Sequence, residues 1–111
     1  MKKRIIYPTI EEIVTTNKKV LEINKAKKAD KHEVLSYQKI SDIIKKVKSK
    51  KGNIYSKAAV LLKELTLAHA FASGNRRTAF TVTANFIYKN EKIFLTKKDN
   101  KENFEIFKKI R

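Results

Sequence analysis

The sequence predicts a compact all-α domain, and three observations carry that prediction. Apolar residues recur at helical spacing through most of the 111 residues. Cap and turn residues (Thr9, Asp30, Asn53, Gly52, Gly74) fall between the periodic stretches. Only Lys92-Ile93-Phe94-Leu95 is short and β-prone, which allows at most one extended segment or small flap strand.

Pro8 and Thr9 open the first helix, with Thr9 and Glu12 in capping-box spacing. Ile10, Ile13, Val14, Asn17 and Leu21 then share one face, and the polar stretch Asn24 to Lys31 reads as a loop. Asp30 with Glu33 is the expected cap of the next helix, whose stripe runs Leu35, Ile40, Ile43, Ile44 and Val47 before a lysine-rich end at Gly52. A third helix starts between Asn53 and Ser56. Ala58, Ala59, Leu61, Leu62, Leu65 and Ala68 make it apolar on more than one side, so it is expected to be central. His69 falls on its last turn, and Gly74 suits a left-handed stop. The fourth helix carries Ala79, Phe80, Val82, Thr83, Phe86 and Ile87 and stops near Asn90. Asp99 or Asn100 caps a last helix burying Phe104, Phe107 and Ile110. The expectation is a bundle of about five to six helices. With no repeat and no linker, residues 1–111 read as one domain.

Composition excludes several classes. No run approaches the roughly 20 apolar residues of a membrane span. The basic start Met1-Lys2-Lys3-Arg4 is followed by Glu11 and Glu12 before a signal-peptide core forms, so the expected location is cytoplasmic, without a membrane partner. The absence of cysteine removes disulfides and thiolate metal sites. A net charge of +16 raises nucleic acid as a partner. Its distribution does not favour it: the lysines are scattered, and the densest group, Lys45, Lys46, Lys48, Lys50 and Lys51, has no interleaved aromatics for base stacking.

The chemistry concentrates at His69-Ala70-Phe71-Ala72-Ser73-Gly74-Asn75-Arg76-Arg77. The first turn of a helix offers unpaired N–H groups and partial positive charge. Gly74 lets backbone approach an anion, so the amides of Gly74, Asn75 and Arg76 can form a nest. Arg77 can grip phosphate oxygens in a bidentate fork, and Arg76 adds charge. His69, one short turn away, is a candidate base for an incoming hydroxyl. Phe71 packs inward and fixes the loop. His32 stands in a polar stretch without a partner in sequence and reads as incidental.

The run resembles the signature of the Fic/Doc (filamentation and death-on-curing) family, His-x-Phe-x-Asp/Glu-Gly-Asn-Gly/Lys-Arg. The likeness continues through Thr78-Ala79, Tyr55-Ser56-Lys57-Ala58-Ala59 and Thr9-Ile10-Glu11-Glu12-Ile13. The resemblance implies a Fic/Doc-like helical bundle with His69 as general base and Phe71 as core anchor. Gly74 and Asn75 would shape the phosphate turn, with the Asn75 side chain reaching phosphate or metal, and Arg77 would hold nucleotide phosphates. AMP-transferring members carry Gly after the Asn and a second Arg three residues beyond the first; Arg76 and Phe80 at those positions are Doc-like. Doc-type proteins move the terminal phosphate of ATP to a hydroxyl of elongation factor Tu and are restrained by an antitoxin. The resemblance thus implies ATP, Mg²⁺, a protein substrate and an antitoxin partner, with AMP transfer or a catalytically impaired basic binding module as alternatives. Ser73 replaces the family's acidic residue, which leaves Ser73 and Asn75 as the metal candidates; a serine hydroxyl ligates Mg²⁺ without bringing charge. The self-inhibiting Ser/Thr-x-x-x-Glu-Gly/Asn pattern does not occur: Glu102-Asn103 comes nearest, with Lys98 at the Ser/Thr position.

Overall fold

The computed structural model describes residues 4–23 and 31–93. Among them are four helices: α1 (Ile10–Ile23), α2 (Tyr37–Ser49), α3 (Ile54–Ala68) and α4 (Asn75–Glu91). They form no sheet, and one isolated antiparallel bridge joins Val34 to Phe71. The all-α expectation holds with four helices rather than five to six. The expected last helix with Phe104, Phe107 and Ile110 lies outside the described residues, as does most of the loop from Asn24.

α4 packs against α3 on one side and α1 on another, while α2 packs mainly on α3. The core is aliphatic at the contact lines: Ile13 from α1, Ile40 and Val47 from α2, Ala58 and Leu61 from α3, and Ala79, Val82, Phe86 and Ile87 from α4. Burying side chains of this size contributes roughly 1.5–3 kcal/mol each, which makes these contact lines the main source of stability.

Local chemistry sets the helix ends. The Glu12 N–H donates to Thr9 Oγ1 (3.1 Å), and the Ser56 N–H donates to Asn53 Oδ1 (2.9 Å), so both sequence-assigned starts are genuine caps. The second helix starts later than Asp30 and Glu33 imply. Its cap is Ser36, whose Oγ accepts the Lys39 N–H at 3.1 Å. The reason is competition for backbone groups. Residues 33–36 pair with the chain after α3, through Leu35 N–H to Ala70 C=O (2.7 Å) and Ala72 N–H to Glu33 C=O (3.0 Å). Leu35 consequently leaves the apolar stripe and is 57% exposed.

At the far end of α2 the orphan carbonyls meet a buried cation. Lys57 Nζ, on α3, donates to the carbonyls of Val47 (3.3 Å), Lys48 (3.3 Å) and Lys50 (2.5 Å) and sits 5.5 Å from the Tyr7 ring centroid. An ammonium there answers the negative end of the helix dipole. The chain before α1 is pinned by Asn90 of α4, whose carboxamide accepts the Ile6 N–H (2.8 Å) and donates to the Ile6 carbonyl (2.9 Å). Tyr7 stacks on Phe86 beside it, with ring centroids 6.0 Å apart. Lys92 closes α4 in a left-handed conformation, its N–H donating to the Tyr88 carbonyl at 2.8 Å. It therefore caps a helix rather than beginning an extended segment; Phe94 and Leu95 lie outside the described residues.

Candidate active site at the α3–α4 turn

Residues 69–74 join the two central helices. α3 ends at Ala68, whose carbonyl accepts Lys39 Nζ at 3.0 Å. His69 is not on the last turn: it is the C-cap, left-handed at φ 50°, ψ 48°. The left-handed residue that stops α3 is thus the histidine, not Gly74. Histidine tolerates this region better than most residues, yet a non-glycine there costs about 1–2 kcal/mol. The conformation ends the helix and leaves the exposed His69 at the rim of the turn. Strain of this kind gathers where function fixes a side chain.

Past His69 the chain is extended. Ala70 and Phe71 are buried, and Phe71 lies against the 33–35 segment through the bridge to Val34. Asn75 holds the turn closed from inside: its Oδ1 accepts the Phe71 N–H (3.1 Å) and its Nδ2 donates to the Phe71 carbonyl (2.8 Å). The expectation for Asn75 was a contact to phosphate or metal. Its carboxamide clamps the Phe71 backbone and keeps one N–H and one lone pair for such a contact.

Gly74 is left-handed too (φ 73°, ψ 20°), but it opens α4 as its N-cap. A Cβ there would stand 3.0 Å from Leu21 Cδ2 and 3.4 Å from Asn17 Nδ2, so α1 presses directly behind the turn. No side chain caps this end of α4, and its first turn holds no acidic residue. Arg76 and Arg77 stand there instead, Arg76 exposed and Arg77 half-buried. An exposed cation such as Arg76 at the positive end of a helix dipole, with no acidic residue in the first turn, favours an anion there. The arrangement therefore selects for a phosphate or carboxylate.

The roles of two residues, Asn17 and His32, escaped the sequence reading. Asn17 on α1 is fully buried, its Nδ2 donating to the Ser73 carbonyl (2.9 Å) and to Thr78 Oγ1 (3.0 Å). Its Oδ1 lies 2.7 Å from His32 Nδ1, and the His32 ring tilts over Phe71 at 6.4 Å between centroids. His32 is thus tied to the motif rather than incidental. The available signal was a polar residue, Asn17, on an otherwise apolar helix face.

A protein-held magnesium fits this turn poorly. Ser73 offers a neutral hydroxyl, the Asn75 carboxamide is engaged by Phe71, and no group of three or more His, Cys, Asp or Glu among the described residues is arranged for a metal. Hard divalent cations favour carboxylate oxygen.

The Fic/DOC family model matches residues 6–87, a span from the segment before α1 into the buried part of α4. The chain belongs to the Fic/DOC family, whose membership suggests Fic-type transferase activity. Neither a curated protein nor a solved structure matches it. No helix among the described residues is long and apolar enough to cross a membrane.

Proposed function

We propose that this chain is a Doc-like toxin-type phosphotransferase, moving the terminal phosphate of ATP to a hydroxyl of a protein such as elongation factor Tu. The observation that carries the reading is the start of α4: a left-handed glycine cap with no side-chain cap, no first-turn acid, and Arg76 and Arg77 in their place. Such an end is suited to polyphosphate. Family membership supplies the reaction class, and Arg76 and Phe80 at the two branch positions favour phosphate over AMP.

In this reading ATP arrives as the magnesium complex, because the turn has no carboxylate of its own to hold the ion. The Gly74, Asn75 and Arg76 amides and Arg77 bind the phosphates. His69 takes the proton from the acceptor hydroxyl as its oxygen bonds to the terminal phosphorus, and the bond from that phosphorus to ADP breaks. The +16 charge suits an acidic antitoxin that restrains the enzyme.

Mass spectrometry of a host lysate treated with the protein, ATP and Mg²⁺ tests the proposal. One protein gaining the mass of a phosphate is the expected result. A gain of AMP would place the chain with nucleotidyl transfer. No gain would favour a family member that binds partners without turnover, the reading to which Ser73 also lends itself. Ser73→Asp in the same assay should raise the rate by about tenfold or more by restoring a charged metal ligand.

A further inference from the structure

Asn17 Nδ2 uses both of its hydrogens, one toward the Ser73 carbonyl and one toward Thr78 Oγ1. The Ser73 carbonyl can only accept, so the carboxamide cannot be turned the other way round. Oδ1 must then face His32, and an acceptor facing Nδ1 at 2.7 Å requires that Nδ1 carry the proton. His32 is held as the Nδ1–H tautomer, with Nε2 as its lone-pair nitrogen when neutral.

The consequence falls on one peptide. The Ser73–Gly74 bond is trans, as are all the peptide bonds described, so its C=O and N–H point in opposite directions. Asn17 draws the carbonyl toward α1, and the Gly74 N–H is thereby turned away from α1. Leu21 and Asn17 lie close behind the Gly74 Cα, so α1 backs the turn at this peptide. We infer that Asn17, braced by His32, is a positioning pair that aims the Gly74 N–H at the anion. This rests on the phosphate-binding reading of the turn. Asn17 does the orienting from the buried side. His32, exposed and outside the motif, keeps the carboxamide from rotating.

The pair is testable in the full-length chain by three linked measurements. A long-range ¹H–¹⁵N spectrum at alkaline pH, where imidazoles are neutral, should show His32 protonated on Nδ1; an Nε2–H ring would overturn the inference. His32→Leu should displace the Gly74 amide resonance and weaken ATP–Mg²⁺ binding about three- to tenfold; because it leaves the buried Asn17 Oδ1 without its partner, the melting temperature should also fall by a few degrees while the fold persists. His32→Asn, whose amide nitrogen takes the place of Nδ1, should restore binding to within about twofold. A His32→Leu protein with unchanged affinity and an unmoved Gly74 amide would refute the pair. If the unmodified chain bound no ATP, the nucleotide reading would fall. The tautomer and the Gly74 resonance would still decide whether the pair orients the peptide.

Discussion

His69 carries two roles that point mutations can separate. Its left-handed backbone ends α3, and its imidazole stands at the rim of the turn. His69→Gly removes the proposed base but accepts the positive φ without strain. It should lower transfer by about a hundredfold or more while leaving stability unchanged or raised by up to about 1 kcal/mol. A thermal melt run beside the transfer assay checks both halves; retained transfer would remove His69 from the chemistry. Gly74→Ala argues the reverse. A Cβ at φ 73° and 3.0 Å from Leu21 Cδ2 should cost about 1–2 kcal/mol and push the turn off α1. Both urea stability and ATP affinity should therefore fall. The sequence named both residues and the left-handed glycine correctly, but it gave the stop of α3 to Gly74 rather than to His69, because left-handedness is a prior for glycine and only contacts can impose it on histidine.

At the scale of the helices, α2 depends on a cation it does not own. Lys57→Met keeps the stem that packs in the core and removes three donors from the α2 C-terminus. The expected loss is about 1–3 kcal/mol in urea denaturation, together with earlier hydrogen exchange in the last turn of α2. α4 offers the opposite case. Thr83 is 1% exposed, and its hydroxyl has no hydrogen-bond partner among the described residues. Thr83→Val keeps the shape and removes the unsatisfied group, and a gain of up to about 1 kcal/mol is expected. A loss instead would mean that the hydroxyl has a partner. The caps at Thr9 and Asn53 were readable because a cap is a local contact three residues long. The start of α2 was not, because residues 33–36 are claimed by residues some 35 positions away.

For the molecule as a whole, the balance of charge dominates what it meets. Twenty-seven basic residues against eleven acidic ones leave an excess of positive charge that acidic side chains cannot match; Lys46 pairs with Glu64 and Lys89 with Glu12. The surplus is positive, and the acidic antitoxin proposed above should associate quickly at low salt, its association rate falling steeply as salt rises. Stopped-flow mixing of the purified pair across a salt series measures this. A flat dependence would argue for an apolar interface.

The sequence by itself determined the all-α class, the position of the turn, and the set His69, Phe71, Gly74, Asn75, Arg76 and Arg77 at it. These follow from periodicity and short-range spacing, which a linear chain carries in full. Only the tertiary structure decided what the side chains at the turn do. It engaged Asn75 with Phe71, put Asn17 and His32 behind Ser73, and set Lys57 beneath α2. Each of those hydrogen bonds satisfies a polar group that folding buries or a helix end leaves orphaned, and which partner is nearest depends on how the helices pack.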